Sequence, residues 1–378
     1  MNTTLRIIVS GGGTGGHIFP AISIANAIKE KRCDAEILFI GAEGRMEMQR
    51  VPAAGYPIKA LPVSGFDRKH LLKNIVVLKN LWKSMCMAKK IINDFKPFAA
   101  VGVGGYASAP ALKACSKQGV PCIIHESNSY AGVTNKLLGK SATLICVAYD
   151  NMSRFFPSKK LLVTGNPVRQ NLVTSQITRQ EALKQFGLTA EKKTLLVVGG
   201  SLGARTINES VLNSIEEIKQ GEMQVIWQTG KIYIDEVKER LKQHQPLQNV
   251  WINDFISDMA AAYKAADLVI SRAGAGSISE LCLLNKPAIL VPSPNVAEDH
   301  QTKNALSLSE KNAAILVKDT EARQTMIKTA QETINNATKL KELSRNIQAF
   351  AHPNAAEQIA DKVIELAEQA QAKRNLWR

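Results

Sequence analysis

The stretch Leu5-Arg-Ile-Ile-Val-Ser10 is a short apolar run that stops at Gly11-Gly-Gly-Thr-Gly-Gly16, after which Ile18-Phe-Pro-Ala-Ile-Ser-Ile-Ala-Asn-Ala-Ile28 resumes with a helical period. That punctuation predicts strand, glycine loop, helix. The same signals follow at residues 36–40, at 99–103 running into Gly104-Gly-Tyr-Ala-Ser-Ala-Pro110, and at 121–125 running into Glu126-Ser-Asn128. The pattern then restarts about half a chain later, where Thr194-Leu-Leu-Val-Val198 meets Gly199-Gly-Ser-Leu-Gly-Ala-Arg205. Further strands are expected at 224–227, 250–253, 268–271 and 288–291. Strands alternating with helices imply parallel sheets with right-handed crossovers, and the restart implies two similar α/β domains in tandem. The join is expected near Thr164-Gly-Asn-Pro-Val168, giving domains 1–167 and 168–353. Residues 354–372 read as a last helix whose partner domain the pattern alone leaves open.

A length of 378 residues agrees with two domains rather than one. Charged residues at 21% and hydrophobic residues at 45% are ordinary globular values, which excludes a disordered or membrane-embedded chain. The net charge of +15 is not ordinary and calls for a polyanionic partner: nucleic acid, a phosphorylated ligand or an anionic membrane. Residues 1–168 carry 22 Lys and Arg against 9 Asp and Glu, a net +13, so the excess sits almost entirely in the first half. The six cysteines are scattered without a CxxC pair or a zinc-like His cluster, and read as reduced thiols of a cytosolic protein with no metal site. No apolar run approaches the roughly 18 residues of a spanning helix, and the N-terminus lacks the layout of a signal peptide.

Gly11, Gly13 and Gly16 satisfy a dinucleotide-binding spacing in the right strand-to-helix context. A nicotinamide site would also want an acidic residue ending the second strand, but that strand closes on Phe39-Ile-Gly41, which weighs against an oxidoreductase. A tight turn without a ligand is the plainer alternative. The loops at 104–105, 199–201 and 271–280 also lie at expected carboxyl ends of strands, where open sheets bind ligands. In the last of these, helix N-terminal amides suit a diphosphate and Glu280 suits two vicinal sugar hydroxyls, although Ser277-x-x-Glu280 also matches a helix capping box. His17 falls in the first turn of its helix, where a positive helix end favours the neutral, proton-accepting ring. Its alternative is a structural histidine. Arg169 stands at the domain junction as a phosphate clamp or a surface ion pair.

Residues 67–90 concentrate the charge: Arg68, Lys69, Lys73, Lys79, Lys83, Lys89 and Lys90 oppose Asp67 alone, beside a helical stripe of Leu71, Ile75, Leu78, Trp82 and Met85. Ile75, Leu78, Lys79, Trp82 and Lys83 are the expected contacts of a helix lying on anionic lipid headgroups. The alternative is a buried helix with solvated lysines. Nucleic acid is disfavoured, because the segment lacks the interleaved aromatics of a stacking platform.

Taken together, Gly12-Gly-Thr-Gly-Gly-His-Ile-Phe-Pro20, Gly104-Gly-Tyr-Ala-Ser108, Ile124-His-Glu-x-Asn128, Gly165-Asn-Pro-Val-Arg169, Gly199-Gly-Ser-x-Gly-Ala204, Phe255-Ile-x-Asp-Met259, Arg272-x-Gly-Ala275 with Ser279-Glu280, and Asp299-His-Gln-x-x-Asn304 resemble the MurG family. These are the N-acetylglucosaminyltransferases that make lipid II from lipid I in peptidoglycan synthesis, and the motifs run in family order over nearly the whole chain. The resemblance implies a GT-B fold, two facing Rossmann-like domains with parallel sheets and a cleft between them, the last helix returning to the N-terminal domain. It implies an N-terminal domain for the lipid acceptor at the cytoplasmic face of the membrane, a C-terminal domain for UDP-GlcNAc and no cofactor, and leaves cell-wall synthesis proteins open as partners. His17, Glu126 and Tyr106 would be the catalytic group. Thr14, Gly15, Gly16 and Asn128 would approach the donor sugar, Arg169 and Ser201 the diphosphate, and Ile256 the uracil. Ala275, Gly276, Ser277, Ile278, Ser279 and Glu280 would meet the diphosphate and ribose, and Gln301 the sugar hydroxyls. Ser127 and Leu202 stand where relatives often carry Gln. A non-catalytic basic adaptor at a membrane is the remaining alternative.

Overall fold

A computed structural model describes residues 4–64, 74–200 and 202–376. They divide into two units, one of residues 1–169 with 353–378 and one of residues 170–352.

The first unit runs β1 (Arg6–Ser10), α1 (Gly15–Lys31), β2 (Glu36–Ala42), α2 (Glu47–Ala53), β3 (Ile58–Leu61), α3 (Asn74–Phe95), β4 (Ala99–Gly102), α4 (Ser108–Lys117), β5 (Cys122–Glu126), α5 (Val133–Gly139), β6 (Leu144–Val147) and β7 (Leu161–Val163). Its seven strands are all parallel, in the order β3-β2-β1-β4-β5-β6-β7. A parallel sheet covered on both faces needs apolar residues on both sides of each strand, which is why β1 reads as an unbroken apolar run. Ile7 and Val9 point into one core with Ile24 and Ile28 of α1, while Ile8 points into the other with Leu112 of α4.

The second unit comprises α6 (Gln170–Thr174), α7 (Arg179–Gln185), β8 (Lys193–Val198), α8 (Arg205–Asn213), α9 (Ile215–Gln220), β9 (Met223–Gln228), α10 (Ile234–Leu241), β10 (Val250–Asn253), α11 (Met259–Ala265), β11 (Leu268–Ser271), α12 (Ala275–Leu283), β12 (Ala288–Leu290), α13 (His300–Ser309), β13 (Ile315–Leu316), α14 (Ala322–Ile334) and α15 (Ala337–Gln348). Its sheet is again all parallel, in the order β10-β9-β8-β11-β12-β13. Leu195 and Val197 bury against Ile207 and Val211 of α8 and Met326 of α14.

The last helix, α16 (Ala355–Leu376), belongs to the first unit. Ile359, Val363 and Ala367 enter the core that holds Ile24 and Ile28 of α1. Arg32 pairs with Glu368, and Arg374 donates to the carbonyls of Lys96 and Pro97 at 3.2 and 2.9 Å.

In both sheets the strand order reverses once, between β1 and β4 and between β8 and β11. Ligands of open α/β sheets bind outside the carboxyl ends of the strands at such a point. The loops that follow these four strands are the four glycine-bearing loops read from the sequence.

Helix α3 departs from the expected stripe. Its inward face is Ser84, Ala88 and Ile92, with Met87, Ile91 and Phe95 packed against the core. Leu78 is 56% and Trp82 71% exposed, flanked by exposed Lys79 and Lys83. The alternative of a buried helix therefore fails for this part of α3. Asp67, Arg68, Lys69, Leu71 and Lys73 lie outside the described residues, as does the side chain of Ile75. Among the described residues no helix is long and apolar enough to cross a membrane.

Candidate active site

Thr14 is the N-cap of α1, with an extended backbone (φ −143°, ψ 160°) and no side-chain cap bond. Gly15 and Gly16 occupy the first two helical positions and His17 the third. His17 Nδ1 lies 3.2 Å from the Gly12 carbonyl and 3.5 Å from Thr14 Oγ1. A carbonyl can only accept, so the Gly12 contact places the proton of the neutral ring on Nδ1 and leaves Nε2 as the accepting nitrogen. The loop after β4 covers this ring closely. Gly104 has φ +104°, and a Cβ built on it would stand 2.7 Å from His17 Cδ2. Gly105 has φ +87°, and its Cβ would meet the Gly12 oxygen at 2.4 Å. Both positions demand glycine twice over, by conformation and by approach. Tyr106, next along, is half exposed. Ser108 closes the loop, donating to the carbonyls of Ser10 at 3.0 Å and Gly104 at 2.8 Å.

Glu47, which no spacing in the sequence pointed to, holds the first loop from beneath. Its side chain is fully buried; Oε2 accepts from the Gly13 N–H and Oε1 from the Ala42 N–H, both at 2.9 Å. A Cβ on Gly12 would stand 2.0 Å from Glu47 Oε1, and one on Gly41 2.7 Å from its Cγ. The Gly13 amide, which a dinucleotide fingerprint would offer to a pyrophosphate, is thus occupied by the protein's own carboxylate.

Glu126 is placed differently from the catalytic group expected. Its carboxylate is 3% exposed and accepts four hydrogen bonds: Oε1 from the Asn128 N–H and side-chain amide, at 3.1 and 3.3 Å, and Oε2 from the Gly132 N–H and the Asn135 side-chain amide, at 3.0 and 2.9 Å. A carboxylate so occupied clamps the loop at 126–135 and fixes Asn128, rather than aiming a lone pair at a substrate. Beside it His125 is wholly buried, with Nε2 donating to the Gly165 carbonyl at 3.0 Å and Ser127 Oγ 3.4 Å from Nδ1. Burial pushes this histidine's pKa down from 6.5 to about 4, with the Gly165 contact opposing. Asn166 donates to the Ser127 carbonyl at 3.1 Å, so residues 164–167 are buried and anchored rather than a loose tether. At the end of this segment the Arg169 guanidinium lies 5.3 Å from the Phe19 ring centre, a cation–π contact with α1.

In the second unit, Gly200 (φ +90°) and Gly203 (φ +86°) shape the loop after β8. Gly203 packs backbone to backbone on the next turn, where a Cβ would meet the Thr229 oxygen at 2.1 Å. Gln228 joins this loop to residue 256, its Nε2 donating to the Gly200 carbonyl at 3.0 Å and its Oε1 accepting from the Ile256 N–H at 3.2 Å. The Ile256 side chain is buried, so any contact it makes with a base is through backbone, while Phe255 beside it is exposed. Ser201 lies outside the described residues.

Helix α12 begins at Ala275 with Gly274 as N-cap and no side-chain cap bond. Ser277 is therefore the third helical residue, and the capping box with Glu280 does not form. A Cβ on Gly276 would meet nothing within 4 Å. Glycine inside a helix costs roughly 0.5–1 kcal/mol relative to alanine, so neither conformation nor packing of this chain explains its presence. Ile278 is buried, and Ser279 Oγ donates to the Ala275 carbonyl at 2.9 Å. Glu280 Oε2 accepts from the Tyr263 hydroxyl at 3.0 Å. Arg272 is structural: it donates to the carbonyls of Val291 and Pro292 at 3.1 Å and pairs with Asp319. Two successive left-handed residues, Glu298 (φ 58°) and Asp299 (φ 49°), precede α13. On α13, Gln301 Oε1 accepts from the Ser293 N–H at 2.8 Å. Among the described residues no group of three or more His, Cys, Asp or Glu side chains could hold a metal ion.

Two parallel sheets of seven and six strands, each with its glycine loops at the reversal point, define a GT-B glycosyltransferase fold. Residues 7–147 match the glycosyltransferase family 28 N-terminal domain, and residues 194–359 its C-terminal domain. A protein of Phocaeicola vulgatus named UDP-N-acetylglucosamine–N-acetylmuramyl-(pentapeptide) pyrophosphoryl-undecaprenol N-acetylglucosamine transferase is 63% identical over 97% of this chain and 98% of its own. The protein of the same name from Cytophaga hutchinsonii is 54% identical over 96% of each chain. The crystal structure of Acinetobacter baumannii MurG superposes with a TM-score of 0.76 at 26% identity, over 96% of this chain and 99% of that one. The chain belongs to glycosyltransferase family 28, and within it to the MurG transferases.

Proposed function

We propose that this protein transfers N-acetylglucosamine from UDP-N-acetylglucosamine to the C4 hydroxyl of the N-acetylmuramoyl residue of undecaprenyl-diphosphate-linked muramoyl-pentapeptide, converting lipid I to lipid II in peptidoglycan synthesis. The likeness, over nearly its whole length, to transferases named for that reaction carries this reading. An oxidoreductase has no support, since Glu47 fills the amide that a dinucleotide would need. A basic adaptor without catalysis would leave the shared glycine loops and His17 without a task.

The transfer is inverting. The acceptor O4 attacks C1 of GlcNAc as the bond from C1 to the UDP oxygen breaks, UDP leaves with the electron pair, and the O4 proton passes to a base. His17 is that base in our reading, because its Nδ1 proton is committed to the Gly12 carbonyl and Nε2 is the accepting atom. Tyr106, Thr14, Gly15 and Gly16 line its surroundings, Asn128 meets the donor sugar, and Glu126 acts by fixing Asn128. The departing diphosphate is met by the first-turn amides of Ala275, Gly276 and Ser277, with Arg169 and Ser201 assisting. Ile278 and Ser279 shape that turn, Glu280 grips the ribose, Ile256 meets the uracil through its backbone, and Gln301 meets the sugar hydroxyls. The second unit is then the donor unit and the first the acceptor unit.

The acceptor is a membrane lipid, and α3 supplies an exposed Leu78 and Trp82 beside Lys79 and Lys83. We assign to this face peripheral docking on anionic lipid at the cytoplasmic side of the membrane. The reading is tested by incubating the protein with UDP-GlcNAc and a soluble lipid I analogue. Release of UDP together with the extended product is expected; it is overturned if neither forms while UDP-GlcNAc still binds.

A further inference from the structure

The Gly12–Gly13 peptide unit is hydrogen-bonded at both ends. Its N–H donates to Glu47 Oε2 at 2.9 Å, and its carbonyl accepts from His17 Nδ1 at 3.2 Å. We propose that Glu47 is a positioning residue for the transfer, acting on His17 through this single peptide. It does what a carboxylate bonded directly to a catalytic histidine does: it holds one tautomer and one ring orientation. The proposal rests on the reading of His17 as base.

Three observations carry it. First, the carboxylate cannot swing, since it is fully buried and its other oxygen is held by the Ala42 N–H at 2.9 Å. Second, Gly12 and Gly41 have no room for a Cβ because Glu47 fills the space, so two backbone positions are given over to seating it. Third, an amide whose N–H is bonded to a carboxylate is polarised and its carbonyl becomes a better acceptor, which strengthens the hold on Nδ1–H. If that anchor is lost, the peptide is free to turn over and present N–H to the ring in place of C=O. An N–H there selects the opposite tautomer, with the proton on Nε2, and the accepting atom disappears.

Glu47→Gln retains the shape but must set its NH2 against one of the two N–H groups. The test combines the ring 15N shifts of His17, assigned by comparison with His17→Ala, with kcat and KM measured on UDP-GlcNAc and a soluble lipid I analogue. In the wild type the Nδ1–H tautomer is expected. In Glu47→Gln the Nε2–H tautomer should grow and kcat should fall about tenfold or more, with the donor KM changed less than about twofold. An intact melting transition and unchanged UDP affinity would show that both units remain folded. A wild-type His17 protonated on Nε2 overturns the proposal without any variant, as does a Glu47→Gln enzyme with unaltered tautomer. Failure of the base reading looks different: His17→Ala would keep wild-type kcat whatever Glu47→Gln does to the ring.

Discussion

The Tyr263 hydroxyl donates to Glu280 Oε2 at 3.0 Å, tying α11 to α12. If Glu280 grips the ribose of UDP-GlcNAc, this bond sets where the carboxylate points. Tyr263→Phe should raise the donor KM about fivefold, the equivalent of one hydrogen bond of ~1 kcal/mol, with kcat little changed. Glu280→Ala removes the gripping group itself and should raise it roughly ten- to hundredfold. An unchanged donor KM in both variants, measured by steady-state kinetics, would remove the ribose assignment.

Gly276 offers a test in which stability and function move in opposite directions. Nothing in the chain obstructs a Cβ there, so Gly276→Ala should stabilise the unliganded second unit by about 0.5–1 kcal/mol, read as a higher melting temperature. If the diphosphate meets the helix there, the same methyl stands in its place, and UDP affinity measured by calorimetry should fall about tenfold or more. Equal or tighter UDP binding would show that the space serves something else.

His125 makes the first unit acid-sensitive. Its folded pKa of about 4 lies below the ordinary 6.5, so the unfolded chain takes up a proton that the folded one refuses. The stability it contributes is whole above pH 6.5 and drains as the pH falls toward 4, by up to about 3 kcal/mol. Urea unfolding at pH 7.5 and pH 5 should reveal a loss that His125→Gln, which retains a donor for the Gly165 carbonyl but does not titrate, largely abolishes. Parallel pH profiles for the two proteins would sink the assignment.

For the membrane face, Trp82→Ala combined with Lys79→Glu removes an exposed aromatic and reverses one charge of the docking surface. Sedimentation with vesicles rich in phosphatidylglycerol should drop several-fold, and wild-type binding should weaken with added salt. Turnover of a water-soluble acceptor should be unaffected. Equal sedimentation of the two proteins would leave α3 without this role.

The sheets were legible where an apolar run ends on glycine, as at Ile7–Val9 or Leu195–Val198, because a strand buried on both faces has no room for polar residues. β3, β6, β7 and β13 went unread: they are two to four residues long, and β7 is only partly buried, so composition hardly marks them. The docking of α16 on α1 was beyond periodicity, which shows that a helix has an apolar face and not which face it will meet. The glycine loops announced themselves, whereas Glu47, Gln228 and Tyr263 did not. Each acts through one or two hydrogen bonds created by tertiary proximity, which leave no spacing in the chain. Ser277 and Glu280 illustrate the converse: their spacing imitates a capping box, but the helix starts two residues earlier, at Ala275.

The return of α16 to the first unit also dictates an order of assembly during synthesis. Everything the second unit needs, residues 170–352, is translated ahead of the helix that seals one face of the first sheet, and leaves the ribosome ahead of it. Until Ile359, Val363 and Ala367 arrive, the apolar face of α1 formed by Ile24 and Ile28 lacks its cover. The unit that is begun first is therefore finished last: the second unit has its whole chain while the first still awaits the helix that closes it.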